Sequence, residues 1–236
     1  MFDLKLEKKD LPFAMAEEII NLRTGISFSG ENIKTVVFTS CTANEGKSTI
    51  SLEVVRSFAD MGKKALFIDC DLRKSILNKK IIEGKINKGL THYLTGQCDL
   101  EDVIYTNLAS NDDVEFDFIP CGPLSNSPTE LLASEKFDSM LNQMREEYDI
   151  IIMDTPPLGT VIDASIISAK ADGAVLVIES GNINYKAIQK VRDKLLLSGA
   201  RVLGVVLNKV DKTKNSYGYY QYGYGYGYGY GNNKDK

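Results

Sequence analysis

Six short apolar runs alternate along the chain with longer segments in which apolar residues have a helical spacing. The runs are Thr35–Thr39, Ala65–Asp69, Phe116–Pro120, Ile150–Asp154, Ala174–Ile178 and Val202–Leu207. Most of them are continuously apolar, which is typical of strands buried on both faces of a parallel sheet. The segments between them predict helices over Ser48–Met61, Lys88–Leu94, Pro128–Tyr148, Asp163–Ala169 and Tyr185–Ser198. This alternation predicts a three-layer α/β fold, with a mostly parallel central sheet and helices on both faces.

Both ends of the chain depart from this alternation. Leu11–Arg23 has apolar residues at helical spacing ahead of the first run, which predicts a helical N-terminal arm over residues 1–30. Beyond Val210 the composition changes to Lys, Asn, Tyr and Gly, so we expect the globular domain to cover residues 31–211. Residues 212–236 are predicted to form a tail outside the core.

The tail holds eight of the twelve tyrosines in the chain. They are Tyr217, Tyr219, Tyr220, Tyr222, Tyr224, Tyr226, Tyr228 and Tyr230. From Tyr222 to Gly231 tyrosine and glycine alternate, so no bulky neighbours would hold the rings in place. Ordering glycine-rich backbone is also entropically costly. The composition therefore predicts a flexible segment that presents phenol hydroxyls to another site.

Composition and charge argue against several classes of protein. Hydrophobic residues make up 43% and charged residues 25%, ordinary values for a globular protein, and the net charge of -4 argues against a nucleic-acid binder. The four cysteines have no metal-ligand spacing and His92 is the single histidine. No apolar run approaches the ~18 residues that span a bilayer, and the N-terminus lacks a signal-peptide pattern. These features predict a cytoplasmic protein whose membrane role would come through a partner.

A phosphate-binding loop follows the first predicted strand. Ser40-Cys-Thr-Ala-Asn-Glu-Gly46-Lys47-Ser48-Thr49 matches the P-loop pattern, except that Cys41 replaces the usual leading glycine. In such loops the backbone N–H groups and the helix N-terminus point at phosphates. Lys47 would reach the β- and γ-phosphates, and the Ser48 hydroxyl would contact Mg²⁺. The predicted nucleotide-binding residues of the loop are Thr42, Ala43, Asn44, Glu45, Gly46, Lys47, Ser48 and Thr49.

Two further predicted strands end in aspartate. Asp69 and Asp71 are two residues apart, and strand spacing would place both carboxylates on one face. Asp154 ends an apolar strand in a Walker B pattern, whose aspartate holds Mg²⁺ beside the P-loop serine. An aspartate that only caps a turn is the alternative for each. Together with the P-loop they predict a nucleotide and Mg²⁺ site at the carboxyl ends of the strands.

These motifs resemble those of the bacterial tyrosine kinases, or BY-kinases, of capsule and exopolysaccharide synthesis. The resemblance covers nearly the whole chain. It rests on the P-loop, the Asp-x-Asp-x-Arg of Phe67–Arg73, the Walker B segment Ile150–Pro157 and the tyrosine cluster. It implies a P-loop NTPase that uses ATP and Mg²⁺ and phosphorylates its own tail tyrosines.

The resemblance implies roles for single residues. The implied catalytic residues are Lys47, Asp69, Asp71, Arg73 and Asp154, and the implied Mg²⁺ ligands are Ser48, Asp69 and Asp154. Asp69 would orient or deprotonate the tyrosine hydroxyl, whereas Arg73 would contact phosphate or substrate or remain a solvated arginine. Asn208 would contact adenine, with a turn residue as the alternative. Asp163 matches a recurrent aspartate of the family and equally a helix N-cap.

The resemblance also implies partners. The arm partly matches the Glu-x-x-Arg-x-x-Arg-Thr helix that mediates subunit contacts in the family, since Glu17, Arg23 and Thr24 fit and Ile20 replaces the middle arginine. A ring-like homo-oligomer is implied, in which each tail enters the site of a neighbouring subunit. A membrane-embedded activator of the polysaccharide chain-length type and a tyrosine phosphatase are the other implied partners. The activator would recruit the kinase to the inner face of the cell membrane.

Two other functions compete with the kinase. A partition or septum-positioning ATPase would carry a second P-loop lysine at the position of Thr42 and would have no use for a tyrosine tail. A nucleotide-binding scaffold without catalysis could use the Tyr/Gly repeat for self-association. Phosphate on tail tyrosines, release of free phosphate, or neither would separate the three.

Overall fold

The computed structural model describes residues 2–8, 10–108 and 113–210. Its strands are β1 (Phe2–Leu6), β2 (Thr35–Ser40), β3 (Ala65–Asp69), β4 (Ile81–Glu83), β5 (Tyr105–Asn107), β6 (Phe116–Ile119), β7 (Ile150–Asp154), β8 (Gly173–Glu179) and β9 (Val202–Asn208). Its α-helices are α1 (Phe13–Phe28), α2 (Lys47–Asp60), α3 (Leu90–Leu94), α4 (Pro128–Ala133), α5 (Glu135–Glu147), α6 (Asp163–Lys170) and α7 (Tyr185–Leu197). Two short 3₁₀ helices cover Leu77–Lys80 and Leu100–Val103.

All nine of these strands form one sheet in the order β4-β1-β5-β6-β3-β7-β2-β8-β9. The six strands from β6 to β9 in that order are parallel, as predicted from their continuous apolar character. Strand β5 runs antiparallel to β6, β1 runs parallel to β5, and β4 runs antiparallel to β1. The predicted mostly parallel α/β fold is therefore confirmed.

The two faces of the sheet carry separate cores. In β2, Val37 packs with residues of α5, α6 and α7, whereas Val36 and Phe38 pack with residues of α1 and α2. This division follows from the alternation of side chains across a strand, and each of the three is fully buried. The predicted three layers are thus present, and β3, β7 and β2 lie side by side at the centre.

The helical arm expected over residues 1–30 is wrong for its first residues, which form strand β1. Leu4 and Leu6 are 2% and 1% exposed and join the core on the α2 face. The Leu6 N–H also donates to Asn107 Oδ1 at 2.9 Å. Burial of alternate leucines stabilises a strand here, because the core offers apolar cover and strands β4 and β5 offer backbone partners. Helix α1 follows and packs on α2.

The single helix predicted over Pro128–Tyr148 is also wrong, because Ser134 divides it into α4 and α5. Ser134 has an extended backbone (φ -68°, ψ 151°), and its side chain accepts the Phe137 N–H at 3.3 Å. A serine that caps the next helix in this way favours a new N-terminus over continuation. Helix α4 packs against α6.

No helix in the described ranges combines the length and the apolar character needed to cross a membrane. The eight tail tyrosines from Tyr217 to Tyr230 lie outside the described residues, as does residue 211 at the predicted domain boundary.

Candidate active site

The P-loop connects β2 to α2 at the centre of the sheet. Gly46 precedes the first residue of α2 with φ 90°, and Asn44 also has a left-handed backbone, with φ 67°. Asparagine tolerates that conformation better than most residues. Gly46 cannot be replaced without movement, because a Cβ there would lie 2.1 Å from Asn208 Nδ2. The loop therefore reaches the helix N-terminus with the shape expected for phosphate binding.

Lys47 and Asp154 form a buried ion pair at the start of α2. Lys47 Nζ lies 2.6 Å from Asp154 Oδ1, and the two side chains are 7% and 2% exposed. Lys47 Nζ also lies 3.1 Å from Ser48 Oγ, and Ser51 Oγ donates to Asp154 Oδ1 at 3.2 Å. The predicted lysine, serine and Walker B aspartate are thus brought together.

Asp69 lies directly across from Asp154, because the two aspartates are register partners at the ends of β3 and β7. Asp69 is 1% exposed. Burial, and secondarily the negative charge of Asp154, raise the pKa of Asp69 to about 7. Its carboxylate accepts the Ser75 hydroxyl and, at 3.1 Å, the Asp71 N–H, and these bonds oppose the rise only in part.

Asp71 stabilises the turn that follows β3. Its Oδ1 accepts the backbone N–H of Arg73 at 3.2 Å and of Lys74 at 2.9 Å. It also lines the cleft beside the P-loop. The turn-capping interpretation and a place in the site are therefore compatible, and its catalytic role stays a prediction.

Arg73 is tied to a neighbouring aspartate within the chain. Its guanidinium makes two bonds to the fully buried Asp163, at 2.6 and 3.0 Å, and one to Thr129 Oγ1 at 3.0 Å. Asp163 is the first residue of α6, and Ile162 occupies the cap position, so the N-cap interpretation of Asp163 is wrong. The Arg73 side chain remains 38% exposed and lines the cleft. It links the turn after β3 to α4 and α6, and its predicted phosphate contact is not tested by this arrangement.

We expect Arg73→Met to lower the free energy of unfolding by about 2 kcal/mol, because it leaves the buried Asp163 carboxylate with one hydroxyl partner. Urea unfolding of the nucleotide-free protein measures the change. Arg192→Met is the matched control, since Arg192 pairs with Asp193 on the surface, where both side chains are about half exposed. Equal stability of the Arg73 variant and wild type would show that the Asp163 contacts do not stabilise the fold.

The remaining predicted loop residues differ in their surroundings. Ala43, Asn44 and Thr49 line the cleft. Thr42 is exposed, and its N–H donates to Glu45 Oε2 at 2.7 Å. Glu45 also lines the cleft, but it is 1% exposed and its carboxylate accepts the Glu179 N–H at 3.2 Å. The Glu45 side chain therefore stabilises the loop from within.

The other predicted contacts lie away from the ion pair. Asn208, at the end of β9, donates from Nδ2 to Glu45 O at 2.8 Å, beside the P-loop. Glu17 is exposed on α1, whereas Arg23 donates to Ser57 O and Ser57 Oγ of the same chain at 3.2 and 3.1 Å. The adenine contact of Asn208 and the subunit contacts of Glu17 and Arg23 stay predictions.

Two further serines of the site carry no signal in the motifs. Ser51 is four residues after Lys47, and that spacing alone places both on one helical face toward Asp154. Ser75 lies in the irregular segment after β3, and only the folded chain shows that it binds Asp69.

A cleft of about 650 Å³ opens beside the P-loop. Besides the P-loop, its walls include Asp71, Arg73, Ile76, Pro156 and Pro157. A volume of this size suits a nucleotide-sized ligand. Pro156 and Pro157 follow Asp154, so the Walker B strand supplies both a carboxylate and part of the apolar wall.

The oxygen donors of the site fit Mg²⁺. Asp69, Asp154 and the half-buried Ser48 hydroxyl would offer hard oxygen donors, and the Asp154 carboxylate is bound to Lys47. Within the described residues no three Asp, Glu, His or Cys side chains form a protein-only metal cage. Mg²⁺ characteristically binds through one or two carboxylates, substrate phosphates and water, so the donor set agrees with this ion.

A P-loop at the end of β2, with aspartates at the ends of β3 and β7, defines a P-loop nucleotide-binding protein. Residues 33–198 match the AAA domain family AAA_31. Tyrosine-protein kinase CpsD of Streptococcus pneumoniae serotype 4 is 40% identical over 217 residues, which cover 91% of this chain and 94% of that protein. Tyrosine-protein kinase YwqD of Bacillus subtilis is 35% identical, covering 86% and 85%.

Solved structures agree with these relatives. The kinase domain of the Escherichia coli tyrosine kinase ETK superposes with a TM-score of 0.76 at 28% identity, over 92% of this chain and 87% of that one. MinD of Pyrococcus horikoshii, a septum site-determining protein, shares the fold with a TM-score of 0.59 at 23% identity, over 74% of this chain and 70% of that one. The chain belongs to the bacterial tyrosine kinase family of the capsule and exopolysaccharide type, and it is a protein-tyrosine kinase.

Proposed function

We propose that this kinase transfers phosphate from ATP–Mg²⁺ to the tail tyrosines of a neighbouring copy, and that it regulates capsular or exopolysaccharide synthesis and export. One observation carries the catalytic part. The buried Lys47–Asp154 pair and the Asp69 carboxylate meet at the ends of adjacent strands, beside a P-loop. This arrangement supports a site in which Lys47 would supply a cation, Asp154 a metal ligand and Asp69 a proton acceptor.

The chain's own residues supply most of the transfer step. Lys47 would exchange Asp154 for the β- and γ-phosphates of ATP, which frees Asp154 and Ser48 to hold Mg²⁺. When bound, Mg²⁺ would neutralise charge on the phosphates. The tyrosine oxygen then bonds to the γ-phosphorus while the bond to the ADP oxygen breaks, and the phenol proton passes to Asp69.

Asp69 is suited to accept this proton. An ordinary tyrosine has a pKa of ~10, so its hydroxyl is protonated at neutral pH. The pKa of Asp69, raised to about 7, lies closer to that of the phenol than an ordinary carboxylate would. The environment that disfavours the Asp69 charge therefore also strengthens Asp69 as a base.

The tail is the proposed acceptor, and its accumulated charge the proposed regulator. Each phosphate adds roughly -1.5 to -2 charges, so eight would add about -12 to -16. The whole chain has a formal net charge of only -4. Repulsion between phosphorylated tails would dissociate a ring-like homo-oligomer, and a tyrosine phosphatase would restore it.

A membrane-embedded partner of the polysaccharide chain-length type is the proposed activator, which would hold the kinase at the inner face of the cell membrane. Family membership supports this assignment. Putative tyrosine-protein kinase EpsB of Ralstonia nicotianae, 32% identical, is a much longer protein, of which this chain covers 27%. A second polypeptide could supply to this kinase what the additional length supplies in EpsB.

Replacement of all eight tail tyrosines by phenylalanine is expected to abolish autophosphorylation, whereas Tyr226→Phe alone should remove about an eighth of the incorporated phosphate. The single variant is the matched control, because redundant acceptors make one loss nearly silent. Anti-phosphotyrosine blotting and mass spectrometry after incubation with ATP–Mg²⁺ provide the measurement. Full phosphorylation of the eightfold variant would place the acceptor elsewhere.

A mixing experiment tests transfer between subunits. The Lys47→Met chain keeps its tail but lacks the catalytic lysine, and the eightfold Phe variant keeps the site but lacks acceptors. We expect phosphotyrosine on the Lys47→Met chain only when the two are mixed with ATP–Mg²⁺. No labelling in the mixture, together with labelling of wild type alone, would show that transfer occurs within one chain.

A further inference from the structure

The end of the last described strand folds back onto the P-loop. Lys209 directly follows β9, and its Nζ donates to the Asn44 carbonyl oxygen at 2.7 Å and pairs with Glu179 Oε2 at 3.0 Å. Asn44 lines the nucleotide cleft, whereas Lys209 approaches the loop from outside that lining. Lys209, three positions before the tail, is thus bonded to the phosphate-binding loop.

The backbone at Lys209 is adapted to this contact. Lys209 has φ 55°, in the left-handed region that side chains other than Gly, Asn and Asp rarely adopt. Such a conformation persists only where surrounding contacts determine it. The bonds of Nζ to Asn44 and Glu179 are contacts of that kind, which gives the lysine a specific position at a chain turn.

Three bonds from the ends of β8 and β9 converge on two residues of the loop. Besides the Lys209 bond to Asn44 O, Asn208 Nδ2 donates to Glu45 O at 2.8 Å. The Glu179 N–H donates to the Glu45 carboxylate at 3.2 Å. The loop is therefore held through both carbonyls and one buried side chain.

Peptide geometry links these carbonyls to the phosphate cradle. The structure has no cis peptide bonds in its described residues, so a C=O and the following N–H point in opposite directions. A bond that holds Asn44 O outward therefore turns the Glu45 N–H toward the opposite, cleft side. In the same way, Asn208 orients the Gly46 N–H through Glu45 O. Loop N–H groups are the donors that bind phosphates.

We propose that Lys209 is a positioning residue of the nucleotide site and that it couples the tail to the P-loop. It acts through the Asn44–Glu45 peptide and touches no substrate. Coupling of this kind is reciprocal. If the Lys209 contact raises the affinity for nucleotide, bound nucleotide must stabilise that contact, and so residues 208–210, by the same free energy. The inference rests on the proposed function only in that nucleotide binds at this P-loop.

The test is the affinity of the full chain for ADP–Mg²⁺, measured by calorimetry. We expect about fivefold weaker binding for Lys209→Met, the effect of losing one exposed charge-assisted contact. Lys209→Arg should restore most of the affinity, because a guanidinium can still donate to a carbonyl and pair with Glu179. Lys190→Met is the matched control, since Lys190 is exposed on α7. In steady-state kinetics, KM for ATP should rise in Lys209→Met while kcat at saturating ATP is retained.

Hydrogen exchange supplies a readout that a merely structural lysine would not change. ADP–Mg²⁺ should slow exchange at residues 208–210 in wild type and leave it unchanged in Lys209→Met. If Lys209→Met folds poorly, Glu179→Gln removes the ion pair and should shift affinity in the same direction by a smaller factor.

Wild-type ADP affinity in Lys209→Met, or an equal loss in Lys190→Met, overturns the inference. Because ADP binding needs no phosphoryl transfer, this result is distinct from failure of the proposed function. Weaker ADP binding by Lys209→Met, together with no phosphotyrosine on the wild-type chain after ATP–Mg²⁺ treatment, would support the coupling and contradict tail phosphorylation.

Discussion

Lys47→Met is expected to reduce tail phosphorylation by at least ~10²-fold while the fold is retained. Lys47 is the cation that contacts Asp154 Oδ1 in the nucleotide-free site, and its predicted partner during transfer is the phosphate chain. Methionine has a similar length but no charge, so the loop can keep its shape while the transferring phosphoryl group loses its counter-charge. Phosphotyrosine on the purified variant after ATP–Mg²⁺ treatment is the measurement.

Stability must be measured beside this activity. The variant leaves Asp154, which is 2% exposed, with the Ser51 hydroxyl as a remaining partner, so some loss of unfolding free energy is expected. Circular dichroism and a thermal melt separate a folded, inactive kinase from an unfolded one. Lys63→Met is the control, because Lys63 is exposed beyond the end of α2. Undiminished phosphotyrosine in a folded Lys47→Met protein would refute the site assignment.

Asp69→Asn is expected to lower the transfer rate by ~10²–10⁴-fold, the usual contribution of a general base. The amide nearly matches the shape of the carboxylate and can still accept the Asp71 N–H, but it cannot take a phenol proton. Initial rates of tail phosphorylation at saturating ATP measure the effect. A rate within a few-fold of wild type would remove Asp69 from proton transfer.

The same variant, although less active, should be more stable than wild type. The folded pKa of Asp69 is about 7, above its ordinary value of 3.8, because burial and the Asp154 charge disfavour its ionised form. The folded chain therefore binds this proton more tightly than the unfolded chain, and stability falls as pH rises from 3.8 toward 7. Asp69→Asn removes that loss, so the nucleotide-free variant should be stabilised more at pH ~8 than at pH ~5.

Thermal melts at both pH values, without Mg²⁺ or nucleotide, test this sign. Asp60→Asn is the control, because Asp60 is exposed at the end of α2. Greater stabilisation of Asp69→Asn at pH ~5 than at pH ~8 would mean that the Asp69 carboxylate is not held in an unfavourable charged state.

Much of this fold could be predicted from local pattern. Strands such as Ile150–Asp154 are almost continuously apolar, and this pattern is typical of strands that are buried on both faces of a parallel sheet. Motif spacing likewise identified Lys47, Ser48 and Asp154, because phosphate and Mg²⁺ binding restrict both residue type and order. The short strands were missed because their stability depends on neighbours. Strand β1, for example, is held by Asn107 and a core to which distant residues contribute.

The partners of the motif residues are decided by tertiary contacts. Arg73 carries no sign in its local sequence that it binds Asp163, 90 residues away. The sequence around Ser75 likewise gives no indication that its hydroxyl donates to Asp69, which depends on the fold of the segment after β3. Hydrogen bonds and ion pairs of this kind depend on the meeting of chain segments that no periodicity describes.

By itself the sequence determined the α/β class, the phosphate-binding loop and the tyrosine cluster, since each depends on local periodicity, motif spacing or composition. Only the tertiary structure decided that Asp69 and Asp154 are register partners, which raises the pKa of the Asp69 carboxyl. It also decided that Lys209 holds the P-loop from outside. Burial and electrostatic interactions arise when separate strands end at the same edge of a sheet, and that meeting is a property of the folded chain.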